Sequence, residues 1–212
     1  MLTMSPDHVY TLSLPGQPPR TLPSNTEILV DRGVIDKQWY TEASRVRGTY
    51  VHEVTALWDN VRLQGQDIAW DEIPAEYRGF CEAWRKFCRE MDFKPLLVEH
   101  KLWHSSDYAT TIDRLGTIGG VLVLLEIKTG SMPKWVWLQL ALQELALVER
   151  VNAGDVKVEG VSGFRKLSEY PKKAAVCLKE DGKYSIHEGY GGSHTQDAIA
   201  HVRSYHSAGE YC

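Results

Sequence analysis

The spacing of apolar residues changes abruptly in the middle of this chain, and the change limits the folds open to it. As far as Met91 they recur every three or four positions, as on the buried face of a helix. From there on they fall into three short runs, Leu96 to His104, Tyr108 to Leu115 and Val121 to Lys128, separated by turns of Ser, Asp and Gly. Turns this short favour antiparallel neighbours, so the three runs predict a meander.

Helical signals flank that meander. Ser24 and Glu27 form a capping box for a short helix that stops near Gly33. Tyr50, Val51, Val54, Leu57, Trp58 and Val61 predict a longer helix from about Thr41 to Arg62. Pro74 opens a third along the stripe Tyr77, Phe80, Trp84, Phe87 and Met91. After the meander, Pro133 opens a fourth, closed by Asn152 and Gly154. Two or three further strands follow, with a hairpin around Asp181-Gly182, and a last helix covers about Thr195 to His206. The expected fold is mixed α/β, one domain over residues 24–212 with a central mixed sheet flanked by helices. An extended Pro-rich arm precedes it over residues 1–23.

Composition narrows the functions. A chain of 212 residues with 43% hydrophobic content can bury a core of its own. The net charge of -4 excludes a globally basic nucleic-acid binder, so a polyanion would be met by bound metal or by a local patch. No run nears the roughly 20 apolar residues of a membrane span, and the N-terminus lacks the layout of a secretory leader. A soluble, cytoplasmic protein without membrane association is expected. Cys81, Cys88, Cys177 and Cys212 show no paired metal-ligand spacing and read as reduced thiols, the first two inside a core stripe.

The apolar run Val121 to Leu125 continues straight into Glu126 and Lys128, and the strand before it ends on Asp113. Neighbouring strands would set Asp113 beside Glu126, and two carboxylates so close call for a cation or a shared proton. A hard divalent ion such as Mg²⁺ takes oxygen ligands and leaves room for water and a phosphate oxygen. Lys128, two residues after Glu126, shares its face of the strand and can steady an attacking water or a charged phosphate. Ile127 points into the core, with its carbonyl free to face the ion. The alternative is a plain Glu126–Lys128 salt bridge at a strand end.

Four separated segments carry a larger pattern. "GTYVHE", Gly48 to Glu53, puts His52 on a helix. "VEHKLWHSSDYATTIDRLG", Val98 to Gly116, carries Glu99 and then Asp113. "LLEIKTG" holds Glu126 and Lys128, and "LQLALQELAL" is a following helix with Gln139. In this order, over about half the chain, they resemble the PD-(D/E)XK nuclease superfamily and its RecB-like branch of phage and recombination exonucleases. The resemblance implies a restriction-endonuclease-like domain that hydrolyses DNA from its ends with Mg²⁺ or Mn²⁺. It further implies work in phage or bacterial recombination or repair, in the host cytoplasm if phage-encoded. DNA would be the partner, beside a single-strand annealing or recombination protein, with self-association left open. By the same resemblance His52, Asp113, Glu126 and the Ile127 carbonyl hold metal, Glu99 assists, and Lys128 serves the attacking water. Gln139, Gln143 and Arg114 would position DNA.

Two places depart from the pattern: Gln143 stands where a tyrosine is usual, and Ala56 where an acid is usual. A structure-specific endonuclease of the same fold therefore stays open, as does a nucleic-acid-binding protein that keeps the fold without activity. On the residues alone, His52 has only small neighbours on its helix face, Glu99 can pair with Lys101, and Gln139 and Gln143 share one face of an apolar helix. Arg32, Arg45, Arg47, Arg114 and Lys134 lie near these motifs, and Arg165, Lys166, Lys172 and Lys173 form a later basic cluster. Trp135, Trp137 and Tyr170 suit either base stacking or the core.

Overall fold

The computed structural model describes residues 1–36, 38, 41–189 and 193–209; Cys212 lies outside them. Residues 1–23 do not form a lone extended arm. They fold back twice into β1 (Leu2–Met4), β2 (Tyr10–Leu12) and β3 (Arg20–Leu22), an antiparallel sheet of three strands. Tyr10, Leu12 and Leu22 are buried in one cluster with Ala109, and Trp103 packs against it. The Tyr10 hydroxyl lies 2.8 Å from Thr111 Oγ1, and the Ala109 N–H donates to the Pro23 carbonyl at 2.9 Å. Strands of three residues are too short to show alternation, which is why the sequence suggests only an arm.

Helix α1 (Asn25–Asp31) begins on the capping box, with Ser24 Oγ accepting from the Glu27 N–H at 3.0 Å. Helix α2 (Glu42–Arg62) starts at the Thr41 cap and buries Val51, Thr55, Ala56, Trp58 and Asp59. Leu57, assigned to the buried stripe above, instead faces outward and is 54% exposed. Helix α3 (Ala75–Glu90) follows Pro74 and packs Phe80, Trp84 and Phe87 inward, with Cys81 and Cys88 buried beside them as free thiols.

The meander forms as β4 (Lys94–His104), β5 (Tyr108–Ile118) and β6 (Val121–Thr129). Helix α4 (Val136–Asn152) then returns the chain to β7 (Lys172–Leu178), which pairs parallel with β6, and β8 (Tyr184–Glu188) closes the edge. Helix α5 (Ser193–Gly209) ends the described chain. The five strands lie in the order β4-β5-β6-β7-β8, antiparallel except at β6–β7, so the sheet is mixed and the fold mixed α/β as expected. Among the described residues no helix is long and apolar enough to cross a membrane.

Period-two alternation along β6 sorts the core. Val123, Leu125 and Ile127 pack with Val51, Phe80, Trp84 and Phe87 of α2 and α3, while Leu124 packs with Leu140, Ala141 and Leu147 of α4. Glu126 and Lys128 have the parity of Leu124 and so belong to the α4 face.

One glycine fixes how closely α3 approaches the β7–β8 hairpin. A Cβ on Gly79 would stand 1.7 Å from the Glu180 carbonyl oxygen, which is backbone and cannot swing aside. Gly79→Ala is expected to cost about 1–3 kcal/mol or more, as overpacking does, and to lower the urea midpoint. An unchanged midpoint would contradict that contact.

Candidate metal centre

The site begins where two strands part. Pairing of β5 with β6 runs from Ile118↔Val121 to Arg114↔Leu125 and stops there; the next positions in register are Asp113 and Glu126. Ile127 thereby loses its ladder partner on the β5 side, although its side chain is fully buried. Buried backbone groups need partners, and here two side chains supply them. The Ile127 N–H donates to Asp113 Oδ2 at 2.6 Å, and the Ile127 carbonyl lies 3.2 Å from His52 Nε2. The gap between the strands is thus filled by the acid and the imidazole singled out in the sequence.

Glu99 completes the group from β4. Its Oε1 lies 3.2 Å from His52 Nδ1, and Asp113 Oδ1 lies 3.7 Å from the same nitrogen. His52, Glu99 and Asp113 each offer a ligand atom, all within 4.8 Å of one another. Glu99 therefore belongs to the site and not to a surface pair with Lys101. Its backbone is left-handed, φ 45°, in mid-strand. A non-glycine residue held there costs about 1–3 kcal/mol, and such strain gathers at functional sites.

The charge state shows a surplus of negative groups. Burial works against the His52 imidazolium, but the carboxylates of Asp113, Glu99 and Glu126 outweigh it and push His52 up to about 9. Burial, then the Glu126 carboxylate, pushes Asp113 up to about 7. Burial opposes ionisation of Glu99 as well, yet His52 and Arg114 together hold its carboxyl below the usual range. Arg114 is paired with Glu99 and Lys128 with Glu126, and the protons gather instead on Asp113 and His52.

Glu126 and Lys128 lie beside the trio and outside it. Lys128 Nζ donates to Glu126 Oε1 at 2.6 Å and to Gln139 Oε1 at 3.3 Å, and sits 4.8 Å from the centre of the Trp135 ring. Gln143 Nε2 donates to Glu126 Oε2 at 3.0 Å and to the Thr111 carbonyl at 3.2 Å. The salt bridge weighed in the sequence is therefore real, and it borders the metal candidates. Both glutamines engage the site, as amides on an apolar helix face must engage something.

Two assignments are corrected. Gln143 is fully buried and holds Glu126, so it does not reach DNA. Arg114 is fully buried, bound to Asp59, Glu99 and Thr55, and is likewise closed to DNA. In the later basic cluster, Lys172 and Lys173 pair in register with Val123 and Leu124, and Lys173 is tied to Glu144 at 2.6 Å. Of the remaining cations, Arg45 is paired with Glu42 and Arg32 with Asp31, while Arg47 donates to the Thr129 carbonyl at 2.9 Å. Trp137 and Tyr170 pack against the core cluster on the α4 side.

The sequence reading missed Asp59 and Thr55. Their signal was present, since Asp59 follows His52 by seven residues and Thr55 by three, which puts all three on one face of α2. No family model and no curated protein matches the chain.

Proposed function

We propose that this protein is a divalent-metal-dependent nuclease that hydrolyses phosphodiester bonds of DNA, working from DNA ends. The observation that carries the proposal is the convergence of His52, Glu99 and Asp113 on the gap between β5 and β6, with Lys128 alongside. One imidazole nitrogen and two carboxylates, near a backbone carbonyl and without a thiol, suit Mg²⁺ or Mn²⁺ better than a soft ion. The raised protonation of Asp113 and His52 fits such a site, because an ion would take the place of those protons. His52, Glu99 and Asp113 would hold it, with Glu126 adding negative charge beside Asp113. A bound divalent ion polarises a phosphate oxygen and lowers the pKa of water.

The chain's own residues supply the rest. Lys128 keeps 20% of its side chain exposed, so its ammonium can meet substrate; it would orient the attacking water and offset charge on the phosphate. Gln143 and Gln139 fix Glu126 and Lys128 for that task. A net charge of -4 disfavours tight binding along duplex DNA, and among the described elements none is an added reader for a groove, so a terminus or frayed strand is the substrate expected. The test is to follow acid-soluble nucleotide from equal amounts of linear duplex, linear single strand and covalently closed circle, with Mg²⁺ or with EDTA. Release from linear forms only, abolished by EDTA, is expected. Closed circles degraded equally fast would replace the exonuclease reading with an endonuclease, and no release from any form would overturn the proposal.

Metal uptake should depend on pH with a definite sign. His52, with its pKa near 9, is protonated at neutral pH and must lose that proton to become a ligand. Below about 7 Asp113 carries a second proton to be displaced. Mn²⁺ affinity is therefore expected to rise with pH, by about tenfold per unit for each proton released, and to level off above pH 9. Calorimetry in two buffers of different ionisation enthalpy measures the protons directly. An affinity constant from pH 6.5 to 9 would contradict the assignment of His52.

A further inference from the structure

We infer that Arg114 and Asp59 are positioning residues for the metal-binding trio, an inference that rests on the reading of His52, Glu99 and Asp113 as ligands. The guanidinium of Arg114 is linked to all three, directly to the Glu99 carboxylate and the Asp113 backbone and through Thr55 to the backbone of His52. Nη1 donates to Glu99 Oε1 at 2.8 Å and to the Asp113 carbonyl at 2.6 Å. Nη2 donates to Thr55 Oγ1 at 3.1 Å, and that hydroxyl donates in turn to the His52 carbonyl at 3.1 Å, one turn back along α2. A single planar group thus ties α2, β4 and β5 together beneath the site. Only a rigid fork of donors can do this; a lysine ammonium has the charge without the geometry.

Asp59 anchors the other side of the fork. It is fully buried and accepts from Arg114 Nε at 2.6 Å, from Trp84 Nε1 at 3.0 Å and from Arg62 Nε at 2.8 Å. A buried guanidinium facing Glu99 alone would neutralise that carboxylate and compete with any cation for it. With Asp59 opposite, Arg114 is held by an acid on each side, so the guanidinium is fixed in place and shared between Asp59 and Glu99 instead of resting on Glu99 alone. The left-handed backbone at Glu99, φ 45°, falls where that residue has no partner in the β4–β5 register and its carboxylate meets Arg114 and His52.

Positioning makes a demand that stability alone does not. In the full chain, Arg114→Lys and Asp59→Asn are expected to fold, by far-UV circular dichroism, and to weaken Mn²⁺ binding about 10–100-fold, as loss of a supporting hydrogen-bond partner does at metal sites. Arg62→Met is the control. It removes the other cation on Asp59; among the described residues Arg62 otherwise donates only to the Phe93 carbonyl, and it reaches no member of the trio. It should lower the melting temperature yet leave Mn²⁺ affinity within about twofold of wild type. If Arg114→Lys does not fold, Thr55→Val, which cuts only the branch toward His52, is read in its place and should lose affinity several-fold. Folded Asp59→Asn and Thr55→Val proteins that bind Mn²⁺ like wild type would overturn the inference, as would an equal loss in Arg62→Met. Wild-type protein that takes up no Mn²⁺ would overturn the ligand reading itself, an outcome distinct from unchanged variants on a wild type that binds.

Discussion

Asp113→Asn is expected to lower cleavage by at least about three orders of magnitude, since removing a charged ligand should exceed the roughly 10–100-fold that supporting partners cost. Asparagine is chosen because its Oδ1 can still accept from the Ile127 N–H, so the parted strands stay satisfied and a loss of activity is not a loss of fold. Stability should move the other way. The folded carboxyl is pushed up from 3.8 to about 7, so its ionised form is disfavoured in the native state, and the penalty grows as pH rises through that window. At pH 8, without metal, Asp113→Asn should therefore melt at a higher temperature than wild type; with saturating Mn²⁺ the order should reverse, because only the wild type is stabilised by binding. Near-normal cleavage by Asp113→Asn would remove Asp113 from the site.

Lys128→Ala is expected to separate chemistry from metal capture. Lys128 hydrogen-bonds Glu126 and Gln139 and is not one of the three clustered ligands, so its loss should lower kcat by about two to four orders of magnitude while Mn²⁺ affinity stays within a few-fold. The opposite balance, metal affinity falling with the rate, would make Lys128 a structural partner of Glu126. Comparing calorimetric Mn²⁺ titrations with single-turnover rates on a labelled duplex distinguishes the outcomes.

The legible parts of this fold are those set by local pattern. The helix at Asn25 is announced by Ser24 and Glu27, and the parity of Glu126 and Lys128 follows from the alternation of Val123, Leu124 and Leu125. His52, Glu99 and Asp113, picked out separately on a helix and two strands, do converge. What stayed hidden depends on three-dimensional closure. Arg114 reads as a strand-end cation available to DNA, and only the packing of α2 against the sheet brings it Asp59, 55 residues away. Gln143 reads as an amide for positioning DNA on the helix after the acid, until the sheet places Glu126 within 3.0 Å of it. The left-handed Glu99 has no sequence mark because glycine, the usual sign of such a backbone, is absent. The N-terminal sheet was missed because each strand contributes only three residues.

The most direct test of the metal centre is anomalous scattering from a crystal soaked in Mn²⁺ at a concentration that supports cleavage. The expected result is a peak at about 2.1 Å from carboxylate oxygens of Asp113 and Glu99, with a ring nitrogen of His52 in the same shell. A peak elsewhere on the chain, with none between β5 and β6, would contradict the assignment of these three residues as the ligands.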